Sequence, residues 1–292
     1  MKISLDKTKY ASVSPGIRDR FFAFVEAAEV HEIQDGAFSF QYLEYGPRHG
    51  EPLLFFTGGI KFPVFSFAVI EALGRSCRVL APVQPCCRTL DECFAGTGAI
   101  LSREKIDTFF VAGSSWGGQM AQAAMVKYPG RIRKAILANT GASSGLVLLL
   151  LLRLYRWSAG KKDPRALVED FKVRALKLLK GSQETNTFWQ AVLDDLYEKY
   201  MSAEDYLSLI DTQIDFIGKY APLVNKQRFT APVLILTSKN ETAGTDKMRS
   251  RLLNLYTNRQ LHVFDEGGHH PALLHLEEYR HVVENFLHNR TF

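Results

Sequence analysis

The segment 111–121, VAGSSWGGQMA, places two adjacent serines between glycines, at the point where a strand-like hydrophobic pattern ends and a helical one begins. The apolar run Thr108–Gly113 is typical of a buried strand, and Ser115–Tyr128 is typical of a helix that ends at Pro129-Gly130. A sharp strand-to-helix turn strains its central residue, and neighbouring glycines relieve the crowding. Gly-x-Ser-x-Gly in this setting predicts that Ser115 is an exposed nucleophile, while Ser114 faces the turn or the sheet.

The rest of the chain alternates between strand-like runs and helical patterns, which is typical of βαβ units. Several runs are apolar almost throughout, as expected for parallel strands that are covered on both faces. We therefore predict an α/β fold with a mostly parallel central sheet and helices on both faces. The predicted strands are Glu29–Gln34, Phe38–Tyr45, Pro52–Thr57, Arg78–Pro82, Thr108–Gly113, Arg133–Asn139, Pro232–Ser238 and Gln260–Asp265, the first two joined by a turn at Asp35-Gly36.

The alternation stops between Gly141 and Phe229, where no strand pattern occurs. Asp163-Pro164 has the form of a helix N-cap and first-turn proline, and Ser202-Ala-Glu-Asp205 resembles a second capped start. We expect three to five helices here, inserted as a cap over one end of the sheet. Residues 143–229 are then the cap, and residues 1–142 and 230–292 form the two parts of the core. A single helix is predicted over Pro271–His288.

A reactive serine needs a base within hydrogen-bonding distance, and the base needs an acid that orients it. His269 lies in the loop EGGHHP after the last predicted strand, and two glycines before it leave the imidazole free to reach the sheet edge. Glu241 follows the strand APVLILTS and is the predicted acid, with Asp246 as the alternative. The order serine, acid, histidine agrees with the motif around Ser115.

Backbone N–H groups are needed to stabilise the oxyanion that forms during attack on a carbonyl group. We predict that the N–H groups of Gly59, in the loop after FFTGG, and of Trp116 supply this oxyanion hole. Gly58, Leu149 and Trp189 are predicted to line an apolar substrate pocket, against the alternative that the cap residues among them only pack helix on helix.

Composition limits the other functions of the chain. The four cysteines suggest neither a disulfide framework nor a metal site, and no secretory signal pattern is present, so we expect a cytoplasmic protein. The longest apolar run, Leu146–Leu152, is far below the roughly 20 residues of a membrane span. The net charge is +5, with nine Lys/Arg and three Asp/Glu in residues 146–181 and the opposite bias in residues 182–215. This pattern predicts a weak contact with an anionic surface, or two helical segments that neutralise each other.

The motifs Thr57-Gly58-Gly59, GSSWGG, the strand leading to Glu241, and GGHHP together resemble the α/β-hydrolase superfamily over residues 36–289. The segments RVLAPVQP and GSSWGGQMAQAAMVKYPGRIRKAILANTG look most like the maspardin-type branch, although His269 is retained here. The resemblance implies a serine hydrolase that cleaves an apolar carboxylic ester or thioester without cofactor or metal, and it implies no nucleic-acid partner. The alternatives are a catalytically silent binding or adaptor protein, or a non-hydrolytic lyase or cyclase on the same scaffold. The oligomeric state is left open.

Overall fold

The computed structural model of the chain describes residues 3–35, 38–179 and 181–288. Within these residues, eight strands form one sheet in the order β1-β2-β4-β3-β5-β6-β7-β8. β1 pairs antiparallel with β2 and β2 with β4, whereas all other neighbouring strands are parallel. The strands are β1 (Glu29–Asp35), β2 (Phe38–Tyr45), β3 (Glu51–Phe56), β4 (Cys77–Pro82), β5 (Phe109–Ser114), β6 (Ile132–Ala138), β7 (Val233–Ser238) and β8 (Arg259–Phe264).

The predicted α/β fold and mostly parallel sheet are confirmed, and each predicted strand forms within one residue of its expected bounds. β3 and β5 are buried along most or all of their length because helices cover the central sheet on both faces. Parts of three predictions fall outside the described residues: the turn at Asp35-Gly36, and the outer ends of the two core segments, at residues 1–2 and 289–292.

Helices connect the strands and cover the sheet. Outside the β6–β7 connection they are α1 (Pro15–Ala27), α2 (Phe67–Leu73), α3 (Leu90–Arg103), α4 (Trp116–Lys127), α10 (Asp246–Leu255), α11 (Pro271–Leu274) and α12 (Leu276–Leu287). The prediction of one helix over Pro271–His288 is wrong, because the backbone of His275 leaves the helical region between α11 and α12. The His275 ring stacks on Phe264 of β8 at 6.2 Å between centroids.

The connection between β6 and β7 is helical in its described part. It contains α5 (Leu146–Ala159), α6 (Pro164–Leu178), α7 (Gln183–Lys199), α8 (Ala203–Asp215), a π-helical turn (Phe216–Tyr220) and α9 (Ala221–Lys226). The side chain of Asp163 caps α6, and Ser202 and Asp205 form a capping box on α8. We refer to these helices as the cap.

Two further features concern the cysteines and the longest apolar helix. Cys87 and Cys93 form a disulfide at the start of α3, with 6.3 Å between their Cα atoms, which the cysteine spacing did not predict. Among the described residues, no helix combines the length and the apolar character needed to cross a membrane.

Candidate active site

Ser115 occupies the turn between β5 and α4, and its backbone has φ 56° and ψ −122°. A residue other than glycine rarely adopts a positive φ, so the turn holds Ser115 in a strained conformation. The turn is fixed by the hydrogen bond from the N–H of Ser115 to the carbonyl of Ala138, at 2.9 Å. The strained turn is the one that the Gly-x-Ser-x-Gly pattern indicates.

The glycines of this motif allow backbone segments to approach one another closely. A Cβ atom on Gly117 would collide with the backbone of Phe56 and Thr57 at the end of β3, and one on Gly113 would collide with Gly117 itself. Only glycine therefore allows α4 to start directly against β3, which brings Ser115 next to the loop after β3.

His269 and Glu241 lie in the loops after β8 and β7, and the structure brings them together. The Nδ1–H of His269 donates a hydrogen bond to Oε2 of Glu241 at 2.8 Å, and both side chains are almost fully buried. Nε2 of His269 is buried and has no hydrogen-bond partner among the described residues. Gly267 and Gly268 have φ values of 119° and 53°, so the bend before His269 depends on glycine.

Three hydrogen bonds hold the buried carboxylate of Glu241 in place. Burial by itself raises the pKa of Glu241, but the hydrogen bonds from His269, from the N–H of Ala243 and from Asn139 lower the pKa below its ordinary value overall. The Ala243 N–H binds Oε1 at 2.6 Å, and Asn139 Nδ2 binds Oε2 at 2.7 Å. Glu241 is therefore a carboxylate at neutral pH. The alternative acid, Asp246, has a side chain that is 95% exposed and pairs with Arg249.

Asn139 was not predicted as a site residue. Its amide also donates to the carbonyl of Gly268 at 2.8 Å, so one side chain joins the loops that carry Glu241 and His269. Asn139 follows β6 with φ 47°, a conformation that asparagine tolerates better than most residues. An asparagine just after the carboxyl end of a parallel strand is the only sequence signal that could have indicated it.

Ser115 and His269 line the same cavity, which has a volume of about 240 Å³. Gly58, Gly59 and Trp116 line it as well. A Cβ atom on Gly58 would lie 3.3 Å from Cβ of Ser115 and 3.8 Å from its Oγ, so the loop after β3 passes directly beside the serine. The N–H of Trp116 is at the first position of α4, where a helical N–H has no partner within the helix.

The cap covers this cavity with a mostly apolar wall, in which Phe171 stacks on Tyr206 at 4.2 Å between ring centroids. Arg174, which was not predicted, adds a positive charge, and its Nη1 donates to the hydroxyl of Tyr155 at 2.6 Å. His270 also lines the cavity. Its burial, and to a smaller extent the charge of His269, hold the pKa of His270 well below the ordinary value.

The two cap residues predicted for the pocket lie elsewhere. Trp189 is buried behind His270, with 4.7 Å between the ring centroids, and Leu149 lines a separate groove on the outer side of the cap. A second cavity of about 270 Å³ also includes Ser115 and Trp116 and is bounded by Leu148 and Leu152 of α5. The described residues contain no cluster of His, Cys, Asp or Glu that could hold a metal ion.

The eight-stranded sheet with a serine at a strained strand-to-helix turn defines this chain as an α/β-hydrolase-superfamily protein. The chain belongs to the serine aminopeptidase S33 family, whose model matches residues 73–275. The match to this family does not test the likeness to the maspardin-type branch, which stays a prediction.

A curated relative, the 2-hydroxy-6-oxononadienedioate/2-hydroxy-6-oxononatrienedioate hydrolase 1 of Dechloromonas aromatica, is 26% identical over 191 residues. The match covers 62% of this chain and 63% of that protein, so it spans less than two thirds of the relative. Among solved structures, a hydrolase from Pseudomonas aeruginosa has a TM-score of 0.72 at 15% identity, covering 89% of this chain and 98% of that one. The enol-lactonase from Burkholderia xenovorans has a TM-score of 0.69 at 17% identity, covering 88% and 100%. These structural likenesses concern the fold.

Proposed function

We propose that this protein is a serine hydrolase that transfers the acyl group of a carboxylic ester or thioester to water. The observation that carries the proposal is the buried hydrogen bond between His269 and Glu241 beside a cavity that also contains Ser115. Nε2 of His269 has no hydrogen-bond partner among the described residues, so Oγ of Ser115 does not donate to it in this structure; in the proposal the two atoms come within hydrogen-bonding distance when substrate binds.

In the proposed mechanism, Oγ of Ser115 attacks the carbonyl carbon while Nε2 of His269 takes the hydroxyl proton. Glu241 keeps the imidazole in the tautomer that leaves Nε2 free, and it stabilises the imidazolium. The negative oxygen of the tetrahedral intermediate accepts hydrogen bonds from the N–H groups of Gly59 and Trp116. The alcohol or thiol leaves with the proton from His269, and water then attacks the acyl-enzyme by the same steps to release the acid.

The cavity supports a small apolar acyl group. Its volume of about 240 Å³ lies below the roughly 300–1,000 Å³ typical of pockets for drug-sized ligands. We therefore expect turnover of p-nitrophenyl esters and acyl thioesters to fall as the acyl chain is lengthened.

A variant of the nucleophile tests the proposal. Ser115→Ala should abolish turnover across the series of esters and thioesters, and Ser114→Ala should serve as the matched control with activity retained. If the wild-type protein turns over no member of the series, the hydrolase hypothesis is wrong. The chain would then be a catalytically silent binding protein, or a non-hydrolytic lyase or cyclase. Loss of activity in Ser114→Ala but not in Ser115→Ala would identify Ser114 as the nucleophile instead.

Arg174 favours a second candidate substrate class, namely esters that carry a carboxylate group. The curated relative is named for hydrolysis of a dioate, which is a dicarboxylate, and a guanidinium at the cavity wall is suited to bind a carboxylate group. Under this alternative, Arg174→Leu should raise KM for esters that carry a carboxylate and leave KM for neutral esters unchanged. Equal changes for both would show that Arg174 only packs against Tyr155.

A further inference from the structure

The first cap helix, α5, carries an apolar stripe on the face turned away from the protein. Six of its large side chains lie on this face and are between 53% and 72% exposed. They recur at intervals of three or four residues, which places them on one side of a helix. They are Leu146, Val147, Leu150, Leu151, Leu154 and Trp157. Exposed apolar side chains are common when scattered, but a contiguous patch of this kind marks an interaction site.

The opposite face of the same helix is turned to the site. Leu148 and Leu152 bound the second cavity that includes Ser115. The helix α5 therefore has one apolar face toward this cavity and another toward the exterior. Packing inside the cap explains the inner face only, so the outer stripe requires a partner that the cap does not provide.

Basic side chains border the stripe along one side and at its C-terminal end. Arg153 and Arg156 line a groove of about 620 Å³ together with Arg88 and Lys219, and Asp211 and Asp215 are its acidic residues. Arg156 is paired with Asp211 and Lys219 with Asp91, whereas no ion pair involves Arg88 or Arg153 within the described part of the chain. At the end of the helix, Nζ of Lys161 lies 3.4 Å from the centroid of the Trp157 ring.

We propose that α5 is an interfacial docking helix that lies on an anionic phospholipid bilayer, with the apolar stripe inserted among the acyl chains and Arg88, Arg153 and Lys161 against the lipid phosphates. A helix of this type buries its apolar face about 5–10 Å into the boundary between headgroups and acyl chains. The negative potential of anionic lipid attracts the basic residues that flank the stripe.

The charge pattern favours a bilayer over a second copy of the chain. An isologous contact between two α5 helices would bring the same surface of each copy together, so the cations Arg153 and Lys161 of both copies would border one interface. Neither Arg153 nor Lys161 has an ion-pair partner among the described residues, which makes such a contact repulsive and a lipid contact attractive. Docking itself needs no chemistry at Ser115 and stands apart from the proposed activity.

Flotation of the full chain with vesicles tests the proposal. The protein should bind vesicles of phosphatidylcholine with about one third phosphatidylserine, and it should bind pure phosphatidylcholine much more weakly. Binding should weaken between about 0.1 M and 1 M salt, since the Debye length falls from about 10 Å to 3 Å. Trp157 is 61% exposed whereas Trp116 and Trp189 are buried, so vesicles should shift tryptophan emission to the blue in the wild type and not in Trp157→Phe.

Substitutions separate the two parts of the surface. The double variant Leu150→Glu, Leu154→Glu should lose flotation, while Leu223→Glu, at an exposed leucine of α9, should retain it. Arg153→Ala and Lys161→Ala should each weaken binding about fivefold, and the exposed Arg228→Ala should leave it unchanged. Ser115→Ala should bind as the wild type does, which keeps a failure of docking distinct from a failure of the proposed hydrolysis.

Three results would overturn the docking proposal. The first is absence of wild-type flotation and of the emission shift with the anionic vesicles. The second is undiminished flotation of the folded Leu150→Glu, Leu154→Glu variant. The third is a dimer in sedimentation analysis that the same variant dissociates while no vesicle binding occurs, because a second copy would then cover the stripe.

Discussion

The orientation of His269 depends on a carboxylate that is itself held in place by its neighbours. Glu241 accepts hydrogen bonds from His269, Asn139 and the Ala243 N–H, which leaves little freedom for the imidazole to rotate. At the residue scale, therefore, the proposed reactivity of Ser115 rests on side chains from loops after three different strands.

The carboxylate should be indispensable for turnover. Glu241→Gln should lower kcat about 10⁴-fold with little change in KM, because an amide favours the wrong tautomer of His269 and cannot stabilise its cation. Steady-state kinetics on a short p-nitrophenyl ester measure both parameters. Asp246→Asn is the matched control and should leave kcat unchanged; the reverse pattern would make Asp246 the acid.

Asn139 should act as a positioning residue. Asn139→Gly keeps a backbone that tolerates φ 47° but removes the hydrogen bonds to Glu241 and Gly268. We expect kcat to fall about 10- to 100-fold, since a displacement of about 1 Å in a catalytic group has an effect of this order. A kcat equal to that of the wild type, with the fold intact by circular dichroism, would contradict this role.

The three proposed catalytic side chains were predictable from sequence, and Asn139 and Arg174 were not. Ser115, Glu241 and His269 each follow a recognisable strand, and the carboxyl ends of parallel strands meet at one edge of a sheet. Asn139 contacts a residue 102 positions away, and nothing in the spacing of the chain indicates that contact. Arg174 reaches the cavity only because α6 is rotated in one particular way about its axis.

At the scale of elements, α3 contains two glycines with opposite surroundings. A Cβ atom on Gly96 would lie 2.5 Å from Cδ1 of Phe40, whereas one on Gly98 would have nothing within 4 Å. The same helix therefore contains a position where glycine is required for packing and one where it only weakens the helix.

These two positions give a matched pair of substitutions. Gly98→Ala should raise the free energy of unfolding by up to about 1 kcal/mol, because alanine loses less backbone entropy in a helix. Gly96→Ala should lower it by about 1–3 kcal/mol, because Phe40 must move. Denaturant titration of both variants measures the difference, and stabilisation by both would contradict the packing of α3 on Phe40.

Element bounds were predictable where the hydrophobic pattern has a clear period. The strands, six to eight residues long, form within one residue of the expected bounds because runs that are mostly β-branched, aromatic or apolar are punctuated by turn residues. The helix over Pro271–His288 was predicted as continuous because its apolar spacing does not change at His275. At the interruption the ring of His275 stacks on Phe264, a contact with another element that no local pattern encodes.

At the scale of the whole molecule, a buried ion pair joins the core to the cap. Lys61, in the loop after β3, is 2% exposed, and its Nζ lies 2.9 Å from Oδ1 of Asp205 at the start of α8. Burial raises the pKa of Asp205, but hydrogen bonds from Cys86 and Lys61 lower it to about 2 overall. The pair therefore connects the loop that carries Gly59 to the helix above it.

Asp205→Asn should lower the free energy of unfolding by about 3 kcal/mol at neutral pH, because Lys61 would remain buried without a counter-charge. Since the folded-state pKa of Asp205 is depressed, this contribution is present above the ordinary carboxyl pKa of about 4 and is lost as pH falls toward 2. The exposed ion pair of Lys239 with Asp265 gives the control: Lys239→Ala should cost less than about 1 kcal/mol. A difference between wild type and Asp205→Asn that persists at pH 2 would contradict the ion pair as its source.

The position of the cap in the chain was predictable, but its orientation over the site was not. The missing strands between Gly141 and Phe229 indicate a helical insertion. The run Leu146–Leu152 is apolar at every position, so it has no period from which the buried face could be read. Leu149 was therefore predicted for the pocket, whereas the structure places Leu148 and Leu152 toward the site and Leu149 in the outer groove.

Mapping of a fluorophosphonate adduct by peptide mass spectrometry tests whether His269 activates Ser115, since the reagent modifies a serine only where a neighbouring base has made its hydroxyl nucleophilic. We expect one adduct on the peptide that contains Ser115, and none on Ser115→Ala or His269→Ala. An unlabelled wild-type protein, or labelling that survives the loss of the imidazole at position 269, would show that His269 does not activate Ser115.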